Sequence, residues 1–250
     1  MRNLKNGIIL AAGRGERLGK YSAEQVKPLT EINNVAIMDN LINTLIKNQI
    51  NNIIVVTGYL ADDFENYLTQ KFGNSINLIF IRNDIYDKTN NIYSLWLADK
   101  YLHEDFLLFE ADVFFERGII DMLIKEESEN VILIDKFNSQ MNGTVVKLDS
   151  KDMVKSMFLK KEQGEEFDYS DAYKTVNFYK ISKEFADNYF CKELDKHIKE
   201  GNVNSYYELI IKEAIDQNTL FKGLKTGNKK WWEIDTPEDL RIAQSIFKDS

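Results

Sequence analysis

Residues able to handle phosphate crowd the first thirty positions. From Gly7 to Leu29 the chain reads GIILAAGRGERLGKYSAEQVKPL, an apolar run that enters a turn holding Gly13, Gly15 and Gly19, with Arg14, Arg17, Lys20 and Lys27 around it. Glycines let a backbone curl its N–H groups about an anion, and neighbouring cations complete such a site. Two phosphate motifs of known mechanics do not fit. A dinucleotide fingerprint needs a third glycine where Leu18 stands; a P-loop counted from Gly13 needs its second glycine at the same Leu18, and Lys20 is followed by Tyr21 instead of Ser or Thr. The segment from Lys20 to Pro28 is polar and ends in proline, so the phosphates would meet loop amides and not a helix N-terminus.

The elements that must position this loop alternate. GIILAA, NNIIVVTGY, INLIFI, DFLLFEAD and NVILID read as five strands. Between them, helices are expected from Ala36, over ADDFENYLTQKFG, over IYSLWLADKYL and over GIIDMLIKEE. Strand and helix taking turns to about residue 135 predict a mostly parallel sheet with helices on both faces. The rhythm then changes. GTVVKLDSKDMVKSMFL reads as a hairpin and AYKTVNFYKIS as a further strand; helices follow from Ser182 and Ser205, KKWWEID returns to strand, and Thr236-Pro237 caps a last helix. No linker is visible, so the expectation is one domain over residues 1–250, with a nucleotide-binding half at about 1–135 and a small β-rich acceptor subregion with its closing helix at about 136–250.

Composition excludes several classes. With 40 acidic against 32 basic residues and a net charge of -8, the chain has no general attraction for nucleic acid. No run is long enough to span a bilayer, and the short apolar stretch after Met1–Asn6 leads into the charged loop, unlike an export signal; a cytoplasmic location with no membrane partner is expected. The single Cys191 reads as a small packing residue, and His103 and His197 read as surface residues.

With strand, glycine turn, arginine and Lys27-Pro28 in view, the sequence resembles the nucleotidyltransferases that make activated sugars and headgroups from a nucleoside triphosphate. Their opening signature L-A-A-G-x-G-x-R-L, followed by a K-P motif, stands here as LAAGRGERLG and KPL. The resemblance implies a Rossmann-like α/β fold of the GT-A-like nucleotidyltransferase kind. It implies that the backbone of Leu10, Ala11, Ala12, Gly13, Arg14 and Gly15 holds base and phosphates, with Arg17 and Lys27 as catalytic cations on the triphosphate. It further implies Mg²⁺ as cofactor, with Asp112 of LLFEAD and Asp235 of WWEID as catalytic metal ligands. Such a pair suits magnesium, which takes oxygen ligands and usually one or two carboxylates. Glu110 shares the strand face of Asp112 and is a weaker candidate for support.

NNIYSLWLA follows the branch that uses CTP to activate phosphocholine or 2-aminoethylphosphonate, which places Asn90, Asn91 and Ser94 near the nucleotide or acceptor; alternatively Asn91 is simply a helix N-cap. For the acceptor, Trp231 and Glu233 share a strand face with Asp235, Trp231 and Tyr173 could hold a cationic headgroup, and Lys160, Lys161 or Lys174 could meet its phosphate. The acidic run Glu165, Glu166, Asp168 and Asp171 reads as a solvated loop. The expected reaction is Mg²⁺-dependent transfer of CMP from CTP to a small phosphate- or phosphonate-bearing headgroup, with the product feeding a surface polysaccharide or lipid. Two alternatives stay open: a sugar-1-phosphate nucleotidyltransferase using UTP or dTTP, and a non-catalytic nucleotide-sensing subunit.

Overall fold

The computed structural model describes residues 4–21 and 25–248, without the side chains of Lys20 and Tyr21. The first half runs β1 (Asn6–Ala11), the short pair β2 (Glu31–Ile32) and β3 (Val35–Ala36), α1 (Ile37–Lys47), β4 (Asn52–Thr57), α2 (Ala61–Phe72), β5 (Asn77–Arg82), α3 (Asn91–Leu97), β6 (Phe106–Glu110), β7 (Val113–Phe115), α4 (Gly118–Lys125) and β8 (Val131–Lys136). The second half adds β9 (Val145–Leu148), β10 (Val154–Phe158), β11 (Ala172–Ile181), α5 (Lys183–Phe185), α6 (Cys191–Lys199), α7 (Glu208–Asp216), β12 (Lys222–Lys225), β13 (Trp231–Glu233) and α8 (Pro237–Ile246).

β5, β4, β1 and β6 lie side by side and parallel, with Ile8 opposite both Ile54 and Leu108. The unbroken apolar runs of β1, β4 and β6 follow from burial on both faces, whereas β5 at the edge is only half-buried. Ile8 and Leu10 enter one core beneath α3, α6 and α7; Ile9 and Ala11 enter the other, beneath α1, α2 and α4. The expected fifth strand, β8, does not extend this parallel set. Antiparallel β11 comes between β6 and β8, and β12, a strand the sequence pattern did not reveal, adds to β8 in parallel. β11 has β9 and then β6 along one edge and β8 along the other, and against β8 its register shifts between Thr175 and Tyr179, where Asn177 has φ 61°. Its first residues pair with β9 and its last with β6, so the expected β9–β10 hairpin hangs from one end of the sheet.

β13 leaves the main sheet and pairs antiparallel with β7, Glu233 opposite Val113. A third, smaller core of Leu18, Ile32, Phe114, Trp232, Leu240 and Phe247 then seats α8 against the segment after the glycine turn. α8 starts as expected: Thr236 accepts from the Asp239 N–H while the Asp239 carboxylate accepts from the Thr236 N–H, a reciprocal cap, with Pro237 in the first turn. Among the described residues no helix is long and apolar enough to cross a membrane. Residues Met1–Asn3, part of the leader expectation, lie outside the described residues.

Candidate active site

The glycine turn follows β1 and is pinned from two sides. Tyr59 N–H donates to the Ala12 carbonyl at 3.0 Å, and Leu18 N–H to the Gly15 carbonyl at 3.0 Å. Gly58 allows the first contact: a Cβ there would stand 2.6 Å from the Ala12 carbonyl oxygen. Gly15 has φ +65°, and a Cβ on it would lie 2.8 Å from Lys27 Cβ, so this glycine both makes the turn and leaves a passage for the lysine stem. Lys27 opens a short 3₁₀ turn with Pro28, closed by the Thr30 N–H on the Lys27 carbonyl at 2.9 Å.

Lys27 emerges between two carboxylates that are far apart in sequence. Its Nζ is 2.7 Å from Asp112 Oδ2 and 2.8 Å from Asp235 Oδ1, and Arg17 Nη2 reaches the same Asp235 oxygen at 2.9 Å. The FEAD run breaks after Glu110, placing Asp112 in the tight connection from β6 to β7. Asp235 arrives because β13 pairs with β7 and the Ile234 N–H donates to the Asp112 carbonyl at 2.8 Å. Burial disfavours the Lys27 ammonium, but Asp112 and Asp235 outweigh that and hold its pKa above the ordinary lysine range. Burial pushes the Asp235 pKa up; Lys27 and Arg17 reverse this and leave it below the usual carboxylate value.

Does the donor set suit magnesium? Asp112 Oδ1 is buried and receives no hydrogen bond, while its partner oxygen and Asp235 already converge on one cation. Two hard oxygen donors sharing a positive charge, one with an unused buried lone pair, are a donor set that Mg²⁺ would accept.

A cavity of about 660 Å³ opens over the carboxyl ends of the parallel strands, where ligands of open α/β sheets bind. Its lining includes Leu10, Ala11, Ala12, Gly13, Arg14, Gly15, Arg17, Lys27, Asn90, Asn91, Ser94, Asp112 and Asp235, so the structure brings every expected nucleotide and metal residue together. The Lys20 side chain lies outside what is described. In the asparagine turn the helix cap is Asn90, not Asn91: the Asn90 side chain accepts from the Asn91 N–H at 2.8 Å. Asn91, the first helical residue, donates to Glu110 at 2.9 Å and accepts from the Tyr207 N–H at 3.0 Å, tying α3 to the end of β6 just before Asp112. Asn83 holds Ser94 Oγ and Thr89 Oγ1, each at 3.0 Å; this cavity residue escaped sequence reading, although its place at the carboxyl end of β5 is a usable signal.

A second cavity of about 400 Å³ meets the first at Arg17 and Asp235, and Lys174, Trp231 and Glu233 line it. Lys174 is buried, with Nζ 3.1 Å from Glu233 Oε2, and Asn177 donates to the other Glu233 oxygen at 3.1 Å. Burial raises the Glu233 pKa, Lys174 opposes, and Asp112 and Asp235 add to the rise. Tyr173 and Lys160 reach neither cavity. Tyr173 faces Lys136 and Lys225, whose ammonium groups lie 5.0 and 5.3 Å from its ring centre, and Lys160 sits on an exposed turn. Glu110 lines the first cavity, and burial and then the neighbouring carboxylates raise its pKa; burial pushes Glu208 up to about 7. Glu165, Glu166, Asp168 and Asp171 are exposed, as expected of a solvated loop.

The remaining reactive side chains have other partners. Cys191 is buried and its thiol is pushed up to about 12 by that burial, unsuited to a thiolate mechanism. His103 is exposed and hydrogen-bonded to Asp187 at 2.6 Å. His197, expected on the surface, is instead buried and paired with Glu213 of α7 at 3.2 Å.

A family model described as Nucleotidyl transferase matches residues 6–201. A CMP-5'-(3-aminopropyl)phosphonate synthase of Streptomyces rubellomurinus is 25% identical over 241 residues, covering 96% of this chain and 38% of that relative's length. A choline-phosphate cytidylyltransferase of Streptococcus pneumoniae is 32% identical over 256 residues, covering 97% of this chain and 98% of the relative. Among solved structures, the CTP:phosphocholine cytidylyltransferase of Streptococcus pneumoniae matches with a TM-score of 0.80 at 23% identity, over 98% of this chain and all of that one.

Proposed function

The chain belongs to the nucleotidyl transferase family, and from that premise we propose that it transfers CMP from CTP to a small phosphate- or phosphonate-bearing headgroup, releasing pyrophosphate. The observation that carries this reading is Lys27 bound to Asp112 and Asp235 where the two cavities meet. A triphosphate in the larger cavity would lie against the turn amides, Arg17 and Lys27, with its α-phosphorus toward Asp235. The acceptor would enter from the smaller cavity, past Trp231 and Glu233.

An acceptor phosphate or phosphonate oxygen is ionised at neutral pH, so it attacks the α-phosphorus without a side-chain base. The new P–O bond forms as the bond to the β-phosphate oxygen breaks, and pyrophosphate leaves with that electron pair. Neither a histidine nor Cys191 is asked to act. Arg17 and Lys27 hold the phosphates in line and meet the charge that develops on the leaving group, so catalysis is positioning plus charge neutralisation. Magnesium between Asp112 and Asp235 would add further neutralisation and polarise the phosphoryl group. The Lys174–Glu233–Asn177 cluster keeps one wall of the smaller cavity in one arrangement. We read residues 1–250 as one such domain, because β13 and α8 complete a site that begins at β1. As the resemblance to headgroup-activating nucleotidyltransferases implies, the product would serve to decorate a surface polysaccharide or lipid.

The test is pyrophosphate release with each of CTP, UTP, dTTP, ATP and GTP plus Mg²⁺, against phosphocholine, 2-aminoethylphosphonate, phosphoethanolamine and hexose 1-phosphates. CTP with a headgroup phosphate or phosphonate is the expected productive pair. Turnover with hexose 1-phosphates alone, or none across the panel, overturns the proposal.

A further inference from the structure

The two aspartates already share a cation, and it is the protein's own. Lys27 Nζ sits within 2.8 Å of both carboxylates, on a side chain only 11% exposed, and Arg17 adds a second positive group on Asp235. Two carboxylates and two cations cancel. A divalent ion entering alone would place two further positive charges beside Lys27 and Arg17, in a recess where water screens poorly. An ion accompanied by a triphosphate would meet no such excess, because the phosphates offer Lys27 and Arg17 new anionic partners.

The lysine can make that exchange without moving its backbone. Pro28 and the Thr30 N–H fix the 3₁₀ turn, but the stem beyond Cβ is an unbranched chain under Gly15, a position where no side chain blocks its path. Lys27 also lines the cavity that holds the glycine turn, so its ammonium needs only a change of rotamer to face a bound phosphate.

We infer that Lys27 is a resident counter-ion that keeps the Asp112–Asp235 site closed to free divalent metal until a nucleoside triphosphate draws its ammonium away, so that metal and nucleotide bind as strongly coupled partners. This rests on the functional reading above. Its consequence is reciprocal: whatever the triphosphate does for metal affinity, the metal does for triphosphate affinity by the same factor.

The test uses the full chain without nucleotide and Mn²⁺ as probe, with free Mn²⁺ followed by electron paramagnetic resonance. Lys27→Met should bind Mn²⁺ at least tenfold more tightly than the wild type, and adding Asp112→Asn should remove the gain. Lys27→Gln is the second variant, keeping a polar group at the site should the methionine protein not fold, and it should shift in the same direction. Wild-type protein that binds Mn²⁺ as tightly as the Lys27 variants overturns the inference, and so does a gain that survives Asp112→Asn, since the ion would then lie elsewhere. The functional reading fails separately, on absent pyrophosphate release; wild-type turnover together with tight nucleotide-free Mn²⁺ binding would remove only the resident-lysine idea.

Discussion

Asp112→Asn separates the chemistry of the site from its architecture. The substitution keeps the side-chain shape and leaves the backbone carbonyl that receives the Ile234 N–H, so β13 still docks and Asp235 is still delivered. The amide oxygen can accept from Lys27, and Lys27 keeps its bond to Asp235. The new NH₂ falls where Oδ1 had no hydrogen-bond partner, and an unsatisfied buried amide costs about 1–3 kcal/mol. That is a minor part of the roughly 5–15 kcal/mol of a typical domain, so the variant should fold. Turnover should fare much worse. Removing one of two carboxylates beside the proposed triphosphate site should cost about a hundred- to a thousandfold in kcat, equivalent to about 3–4 kcal/mol of barrier. Pyrophosphate release at saturating CTP, Mg²⁺ and acceptor measures the rate, and circular dichroism melting measures the fold. A folded Asp112→Asn enzyme within threefold of the wild-type rate would refute the electrostatic role given to this residue.

Three other perturbations probe different parts of the molecule. Glu208 is a buried carboxyl raised to about 7 from an ordinary 4.5, so the unfolded chain ionises first and stability falls as pH rises between those values. Glu208→Gln should therefore gain about 2 kcal/mol relative to wild type on going from pH 5 to pH 8 in urea unfolding, and parallel pH profiles would remove the argument. Gly58→Ala puts a methyl group 2.6 Å from the Ala12 carbonyl oxygen, so it should raise the KM for CTP by about tenfold through a displaced glycine turn; an unchanged KM would show that the turn does not hold the nucleotide. Thr236→Ala deletes one half of the reciprocal cap on α8 and should lower Tm by about 2–4 °C for a loss of about 1 kcal/mol, and an unchanged Tm would show the cap to be idle.

The amino-acid sequence by itself determined the glycine turn and its cations, because Gly13, Gly15, Arg17 and Lys27-Pro28 lie within one short stretch whose chemistry is local. It also determined the alternating first half and the cap of α8, since apolar periodicity and Thr236-Pro237 act over a few residues. Only the tertiary structure decided that Asp112 and Asp235 share one lysine, because that depends on β13 abandoning the main sheet for β7 and on a single backbone bond from Ile234 to Asp112. The same holds for β8, separated from the parallel strands by antiparallel β11, and for Lys174 turning inward to Glu233 while the neighbouring Tyr173 lies against Lys136 and Lys225. Strand order and facing are set by which distant apolar surfaces bury each other and by one register shift near Asn177, and neither leaves a mark in local composition.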